Sequence, residues 1–343
     1  MAPIGTSTLK FNFLFKSPSR VFISTGEPSG DLYAALFVKS QLKDIPTLYG
    51  VGGENLKKTN VILIFDYENL KTFGFASGIL SILKNFKMYH KIGRMLFKLK
   101  PEIFIAVAYP GINLLLCRYA KKLGIKTVYL LPPQIWAWGT FRKYFIRKWV
   151  DLIISVFPFE YRFYKALNFK VIYWANPLLI FLKDYTKPPP SREIGVMPGS
   201  RVSQVKRNLR VIKELIKNFP NWEFVFILHP EVLSPDLTRW LTHEFSRRIK
   251  IVSSQRYEAM CRCRCIITSS GTASLETAIL NIPQIFFNYP PFPDYYLFRH
   301  FLRITEYNLT NLYYGKHIVP SFVFCNKKRL VQAITQELHR LLT

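Results

Sequence analysis

Acidic residues are scarce in this sequence. Its 343 residues include 21 Asp and Glu against 48 Lys and Arg, which gives a net charge of +27. Such an excess of positive charge predicts polyanionic partners: nucleic acid, an anionic membrane surface or phosphorylated substrates. Long apolar runs are also missing, since no stretch reaches the roughly 18 to 20 uncharged residues that cross a bilayer. We therefore do not expect an integral membrane protein.

Cysteine is rare as well. Three of the five cysteines, Cys261, Cys263 and Cys265, alternate with arginine in "CRCRC". A zinc site usually spaces a ligand pair by about two to four residues and needs a second pair elsewhere, which this sequence lacks. We therefore predict no metal site. The N-terminal segment has no acids and no cleavage site of the A-x-A type, which favours an extension before the first strand over a transit peptide.

Short apolar strands alternate with amphipathic helices along the chain. Strand-like segments such as "RVFISTG", "PEIFIAVAYPG" and "IKTVYLLP" are separated by helix-like segments such as "DLYAALFVKSQLK". This alternation predicts parallel sheets covered on both faces. After "DYTKPPPSRE" at 184–193, which is typical of a linker, the pattern restarts. We predict an α/β protein with two Rossmann-like, doubly wound domains, 1–185 and 186–343, facing a central cleft. The sequence leaves open which domain the last helix packs on.

Two glycine turns in the second half are typical of phosphate sites. "SSGTASLETA" leads from a strand through Gly271 into a helix that should begin at Thr272 or Ala273. Free amides and the positive end of the helix dipole favour phosphate there, and Glu276 can accept hydrogen bonds from ribose hydroxyls. "MPGSR" repeats the design with Arg201, whose guanidinium matches phosphate oxygens. Together the two turns favour a nucleotide diphosphate as ligand.

Several motifs in this order carry a family resemblance. "GEPSGD", "PPQIWAWG", "FPFE", "MPGSR", "SSGTASLETA" and "NLTNLY" resemble the signatures of the bacterial lipid-A-disaccharide synthases, from about Arg20 to Leu330. The resemblance implies a glycosyltransferase of the GT-B fold without a metal or other cofactor. It implies the transfer of a sugar from UDP-2,3-diacylglucosamine to 2,3-diacylglucosamine 1-phosphate, with inversion and release of UDP. It also implies a cytoplasmic enzyme, peripheral on the inner face of the cytoplasmic membrane.

The turns and the resemblance together give two sets of candidate binding residues. The donor set is Gly199, Ser200, Arg201, Gln204, Ser270, Gly271, Thr272, Ala273, Glu276 and Asn311. The acceptor set, in the first domain, is Ser29, Gly30, Asn113, Trp136, Trp138 and Asn176.

The candidate catalytic residues lie in "GEPSGD". The attacking hydroxyl has to lose a proton to a base, and Glu27 or Asp31 could take it or position acceptor hydroxyls. Asp31 could instead cap the helix that follows. Because Glu27 precedes a proline, it should be extended and free to project into the cleft.

The sequence departs from the family pattern at polar positions. Where the family usually has Asp-x-Pro-Asp-x-Asn, this chain has "AYPGIN", with Ala108 and Gly111 in place of the acids. Asn176 replaces the usual His of Gly-His-Pro, and Gln204 replaces the usual Glu after "GSR". The first acid is a favoured base in the family. Its loss makes Glu27 the strongest remaining candidate, or else makes this chain a diverged relative with a changed substrate or without turnover.

A basic stripe gives the positive charge a place. Lys84, Lys87, Lys91, Arg94 and Lys98 recur at helical spacing beside an apolar face, and Glu102 is the only acid between Asn69 and Val150. A basic amphipathic helix suits an anionic leaflet, although such a stripe could equally be a solvated charged face. No nucleic-acid-binding motif is present, so we do not expect nucleic acid as a partner.

The fold does not fix the function, and three further functions stay compatible with the sequence. They are a GT-B enzyme that acts on another UDP-sugar, a 2-epimerase, and a non-catalytic protein that binds a lipid or a UDP-sugar. The absent acids at Ala108 and Gly111 favour the last of these. The oligomeric state stays open.

Overall fold

The computed structural model describes residues 11–15, 17–66, 79–137, 139–189, 191–230, 232–245, 249–269, 271–293, 295–296 and 306–343. The chain divides into two compact units, Met1–Pro177 and Leu178–Thr343. None of the helices in these ranges has the length and hydropathy of a membrane span.

The first unit contains a parallel sheet of seven strands in the order β3-β2-β1-β4-β5-β6-β7. These strands are β1 Arg20–Ser24, β2 Thr47–Gly52, β3 Ile62–Asp66, β4 Ile103–Val107, β5 Lys126–Leu130, β6 Leu152–Ser155 and β7 Val171–Tyr173. Its helices are α1 Phe11–Phe15, α2 Pro28–Gln41, α3 Glu54–Lys57, α4 Ile79–Leu99, α5 Pro110–Lys122, α6 Arg142–Trp149 and α7 Pro158–Ala166. The central strand β4 is buried at all five residues, which explains its unbroken apolar sequence.

The second unit contains a parallel sheet of six strands in the order β10-β9-β8-β11-β12-β13. These strands are β8 Glu193–Met197, β9 Glu223–Ile227, β10 Ile249–Val252, β11 Cys265–Thr268, β12 Gln284–Asn288 and β13 Ser321–Val323. Its helices are α8 Leu178–Phe181, α9 Val202–Asn218, α10 Pro235–Phe245, α11 Arg256–Arg262, α12 Gly271–Ile279, α13 Leu309–Tyr314 and α14 Lys327–Leu342. In each sheet the strand order reverses at the first strand of the unit, β1 or β8. The next two strands of the chain lie on one side of it and the later strands on the other, as in doubly wound folds.

Aromatic packing explains why the boundary between the two units lies at Pro177. Phe181 and Tyr185 lie against Tyr257, with ring centroids 5.6 and 5.2 Å away, so α8 and the segment after it belong to the second unit. The last helix also packs within this unit, because Leu330, Ile334 and Leu338 are fully buried in its core. The assignment of the acceptor to the first unit and of the UDP-sugar to the second stays a prediction.

Candidate active site

The turn "GEPSGD" joins β1 to α2. Glu27 directly precedes the helix with an extended backbone (φ −150°, ψ 153°), as its position before a proline predicts. Its side chain makes no capping bond to the helix. It is half-buried and accepts a hydrogen bond from Ser29 Oγ at 3.3 Å. The Glu27 carboxylate therefore lies at the C-terminal end of β1 without satisfying the helix that it precedes.

Asp31 lies on α2 but caps a different helix. Its Oδ1 accepts from the backbone N–H groups of Gly53 and Leu56 at 2.6 and 3.4 Å, and its Oδ2 from that of Asn55 at 2.8 Å. These groups open α3, so the carboxylate satisfies that helix's N-terminus. The side chain is 1% exposed. Burial raises the pKa of Asp31, and the backbone bonds oppose that rise. This geometry favours a structural role for Asp31.

A second turn, between β4 and α5, packs against "GEPSGD". Ala108 and Tyr109 both have left-handed backbones, with φ of 47° and 46°. This conformation costs energy for non-glycine residues and is concentrated at functional sites. The carbonyl of Ala108 accepts hydrogen bonds from Tyr129 Oη at 2.8 Å and Asn113 Nδ2 at 3.0 Å, which stabilise the turn. A Cβ on Gly26 would lie 2.6 Å from the Tyr109 ring, so only glycine fits where the two turns touch.

Glu27, Ala108 and Arg142 lie in one neighbourhood. Burial raises the pKa of the Tyr129 phenol; among the nearby charges, Glu27 raises it further and Arg142 lowers it. A Cβ on Gly30 would lie 3.3 Å from Ala108 Cβ and 3.5 Å from Glu27 Cγ. The position where the family pattern has its first acid is therefore adjacent to the Glu27 turn, and in this chain it carries a methyl group.

The two asparagines of the predicted acceptor set are buried braces. Asn113 is 1% exposed, and its Oδ1 accepts from Ser24 Oγ at 2.8 Å, which joins α5 to the end of β1. Asn176, also 1% exposed, exchanges hydrogen bonds with Tyr33 Oη at 3.1 and 3.2 Å. Both amides stabilise the edge of the sheet from inside.

The tryptophan loop follows β5. Trp136 is half-buried, with its ring edge-on against Phe159 at 5.1 Å between centroids. The predicted acceptor residue Trp138 lies outside the described residues.

Glu160 is a buried acid that the sequence reasoning did not select. It lies in α7, is 1% exposed, and accepts a hydrogen bond from Ser155 Oγ at 2.8 Å. Burial raises its pKa to about 8, and Ser155 and Trp136 act in the opposite direction. In the sequence it is the acid of "FPFE", one of the motifs that carry the family resemblance. Because the carboxyl group is closed off from solvent, a substrate hydroxyl cannot reach it in this conformation.

In the second unit, the turn "MPGSR" leads into α9. Gly199 has a φ of 134°, and Ser200 and Arg201 are exposed. Arg201 directly precedes this 17-residue helix, which has no side-chain cap at its start. The Arg201 guanidinium forms no ion pair within the described part of the chain. An uncapped helix N-terminus beside an available guanidinium can bind an anion.

Hydrogen bonds join the two glycine turns of this unit. Gln204 Nε2 donates to the carbonyl of Ser269 at 3.3 Å. Asn208 Nδ2 donates to the carbonyl of Pro198 at 2.7 Å and to Ser269 Oγ at 2.9 Å. The start of α9 is thereby fixed beside the end of β11, so the two predicted phosphate turns are neighbours. Asn208, which the sequence reasoning missed, is the main brace.

Helix α12 begins at Gly271, one residue before the earlier of the two predicted starts, Thr272 and Ala273. Thr272 is half-buried and Ala273 is buried, whereas Ser270 lies outside the described residues. Glu276 is only 2% exposed. Its carboxylate accepts hydrogen bonds from Arg256 Nη2 and, at 3.2 Å, from Tyr257 Oη. The carboxylate is thus occupied by side chains of α11, which favours a structural role over direct contact with a ribose.

Asn311, the remaining predicted donor residue, fixes a loop. It is 3% exposed, and its Oδ1 accepts from the backbone N–H groups of Ile318 and Val319 at 2.9 Å each. Its Nδ2 donates to Glu306 Oε2 and to the carbonyl of Val319, again at 2.9 Å. These bonds leave the amide little capacity for a ligand.

The predicted basic stripe lies on α4. Lys87, Lys91, Arg94 and Lys98 are exposed, whereas Met88, Ile92 and Leu96 are buried. The side chain of Lys84 lies outside the described residues. The cations therefore occupy the outer face of an amphipathic helix, where they can meet solvent or an anionic surface.

Two Rossmann-like sheets with glycine turns at their carboxyl ends define the class as an α/β protein of the GT-B fold. A solved structure supports this fold: the UDP-GlcNAc 2-epimerase of Methanocaldococcus jannaschii, with UDP-GlcNAc and UDP, has a TM-score of 0.59 at 13% identity, covering 93% of this chain and 92% of that one. The predicted fold class is confirmed.

The sequence comparisons identify the family. The lipid-A-disaccharide synthetase family matches residues 21–342. Lipid-A-disaccharide synthase 1 of Legionella pneumophila (strain Philadelphia 1) is 34% identical over 338 residues, covering 92% of this chain and 87% of the relative. The lipid-A-disaccharide synthase of Geobacter metallireducens is 28% identical over 320 residues, covering 89% and 83%. The chain belongs to the lipid-A-disaccharide synthase family of glycosyltransferases, which confirms the resemblance found in the motifs.

Proposed function

We propose that the chain joins UDP-2,3-diacylglucosamine to 2,3-diacylglucosamine 1-phosphate with inversion and releases UDP. The observation that carries this proposal is the family match over residues 21–342. In the reaction, a hydroxyl oxygen of the acceptor bonds to the anomeric carbon of the donor. The bond from that carbon to UDP breaks with its electron pair going to UDP, and the hydroxyl proton goes to a base.

The second unit supplies groups for the leaving UDP. Negative charge gathers on the diphosphate as the bond breaks, and Arg201 with the uncapped start of α9 can stabilise it. The start of α12 lies beside them and offers further backbone amides. These groups can supply the positive charge that a cation would otherwise provide, so we propose a reaction that does not require a metal.

Glu27 is our candidate for the base. Ala108 cannot accept a proton, Asp31 is committed to the backbone of α3, and Glu160 is closed off from solvent. Glu27 is half-buried at the end of β1 and is oriented by Ser29. Of these candidates, Glu27 is the one whose carboxylate is not fully buried, which supports its role as the base.

The test is incubation with both acylated glucosamine substrates, followed by mass spectrometry of the lipid product. A disaccharide monophosphate together with free UDP is the expected result. Isomerised UDP-sugar without a glycoside would indicate an epimerase. Binding of UDP-sugar without any product would indicate a non-catalytic relative.

We also propose that α4 holds the protein on the inner face of the cytoplasmic membrane. Reversing Lys87, Lys91 and Arg94 to Glu should release the protein from anionic vesicles, because each charge contributes on the order of 1 kcal/mol near such a surface. The matched control reverses the exposed cations Arg210, Arg239 and Lys328. Equal flotation of both triple variants with vesicles would mean that the α4 stripe is only a solvated face.

A further inference from the structure

A large groove lies between α5 and α6 in the first unit. It has a volume of about 870 Å³. Its apolar lining includes Leu114, Leu115, Phe141, Phe145 and Trp149. A groove of this size falls in the range of sites that bind small organic ligands.

The apolar lining is accessible. Leu115 and Phe145 are 43% and 39% exposed, and Phe141 is 62% exposed. Phe145 stacks on Trp149 with ring centroids 4.8 Å apart and an interplanar angle of 18°, which makes a flat apolar wall. Contiguous exposed apolar surface of this kind marks an interaction site in soluble proteins.

The polar lining of the groove is cationic. The cations that line it are Arg118, Lys121, Lys122, Arg142 and Lys148, and no acid is among the described residues of its lining. Lys121 is partly neutralised by Asp151 at 2.5 Å, whereas Arg118 lies over the ring of Trp149, 5.5 Å from its centroid. Cations around an apolar floor complement an anionic amphiphile, which places its chain on the floor and its charge at the rim.

One end of the groove reaches the candidate active site. Pro110 and Gly111 line it there, and they directly follow the strained turn at Ala108 that touches "GEPSGD". Among the described residues, a Cβ on Gly111 would meet no atom within 4 Å, so they leave this end open. Arg142 lines the groove and also acts electrostatically on Tyr129, as Glu27 does. A ligand in the groove would thus place its end near Glu27.

We propose that this groove binds the acylated sugar phosphate acceptor, with an acyl chain along Leu115 and Phe145 and the sugar at the Pro110 end. The proposal rests on the proposed function for the identity of the ligand. Helix α5 has 13 residues and is about 20 Å long at 1.5 Å per residue, which is enough to accompany an extended acyl chain. The groove is continuous with the Glu27 turn, which favours the acceptor over a membrane phospholipid. The acceptor carries the sugar hydroxyl that the Glu27 turn would receive, and a phospholipid carries no such sugar.

The test measures binding rather than turnover. Dihexanoyl-glucosamine 1-phosphate, a short-chain soluble probe, is titrated into the full chain by calorimetry. Phe145→Asp and Arg118→Glu should each raise its Kd at least tenfold and leave the Kd of UDP unchanged. The controls, Phe97→Asp and Lys170→Glu, change exposed residues of the same unit outside the groove and should bind the probe like the unaltered protein. Melting temperatures identify any variant that fails to fold. If Phe145→Asp does not fold, Arg118→Glu still tests the groove, because Arg118 is exposed.

Three results would overturn the proposal. The first is an unchanged probe Kd in folded groove variants, and the second is equal affinity for glucosamine 1-phosphate without acyl chains. The third is equal affinity for dihexanoylphosphatidylglycerol, which would make the groove a general contact for anionic lipids. Groove-dependent probe binding without any disaccharide product would leave the groove standing and refute the proposed function. If both groove variants formed the disaccharide as fast as the unaltered protein, the proposed function would stand and the groove proposal would be refuted.

Discussion

The buried acids of the two units have different hydrogen-bond partners. In the first unit, Asp31 and Glu160 are each 1% exposed, and in the described part of the chain they accept hydrogen bonds from neutral donors, such as backbone N–H groups for Asp31 and the Ser155 hydroxyl for Glu160. In the second unit, Glu276 is 2% exposed and faces the guanidinium of Arg256. A buried acid without a cation holds a proton more readily, whereas one beside a guanidinium is kept as part of an ion pair.

Each unit also has a charged side chain that is not fully buried at the carboxyl edge of its sheet. Glu27 follows β1, and Arg201 follows β8, just before α9. The buried acids fix the turns, and we propose that Glu27 and Arg201 contact the substrates. This contrast supports our proposal that the first unit receives the proton and the second unit binds the negative charge of the leaving group.

The largest effect is expected at Glu160. Its ordinary pKa of 4.5 rises to about 8 in the fold, so between these values the unfolded chain is ionised and the folded chain keeps its proton. The free energy of unfolding should therefore fall by on the order of several kcal/mol as the pH rises from about 4.5 to 8, and it should level off above that pH.

Glu160→Gln should remove this loss, and its stabilising effect should grow between pH 5 and pH 8 in denaturant melts. The exposed control Glu54→Gln should show no such growth. Parallel pH curves for the Glu160 variant and the unaltered protein would mean that Glu160 is ionised in the fold.

The ion pair of the second unit should respond next. Glu276→Gln leaves Arg256 without its carboxylate and should lower the free energy of unfolding by about 3 kcal/mol, the lower end for a broken buried pair because Arg256 is still 22% exposed. Glu258→Gln, on the same helix as Arg256 and exposed, is the control. A normal melting temperature with a raised KM for the donor would instead assign Glu276 to the ribose.

Glu27 tests the accessible side of the comparison. Glu27→Gln should keep the fold and UDP binding but lower turnover roughly a hundredfold or more, the usual scale for the loss of a general base. The acidic limb of the pH profile should disappear with it, and Glu54→Gln should change neither. Wild-type turnover with an unchanged acidic limb would place the base elsewhere.

Much of this arrangement could be predicted locally. Apolar runs gave β1, β4 and β5, and the strand–glycine–helix pattern located the turns before α9 and α12. The partners of the acids could not be predicted, because they come from other elements. Asp31 caps groups 22 to 25 residues away, and Glu276 pairs with a side chain 20 residues away on α11. Local pattern shows which residue types stand at a turn, whereas the tertiary contact decides which of them are used up.

Asp31 tests whether a tertiary contact has fixed a candidate residue of the "GEPSGD" turn in a structural role. Asn can still accept on one atom, but its amide nitrogen would face a backbone N–H of α3, so Asp31→Asn should lower the free energy of unfolding by about 2 kcal/mol. Asp44→Asn, exposed just after α2, should cost little. Turnover should fall no more than the loss of folded protein explains. A large loss of turnover with a normal melting temperature would return Asp31 to the catalytic group.

Arg201 should show the smallest effect, because it is exposed and solvent screens its charge. Arg201→Ala removes a charge-assisted contact with the diphosphate and should weaken UDP binding about tenfold, or about 1.4 kcal/mol. Arg210→Ala removes another exposed arginine, which lies within α9, and should leave UDP binding unchanged. The difference between the two variants should shrink as salt is raised, since the contact is electrostatic. Arg201→Lys should recover only part of the affinity, because an ammonium group lacks the fork that matches two phosphate oxygens. If calorimetry finds the same UDP affinity in Arg201→Ala and in the unaltered protein, the start of α9 is not the diphosphate site, and the division of labour between the two units fails on the donor side.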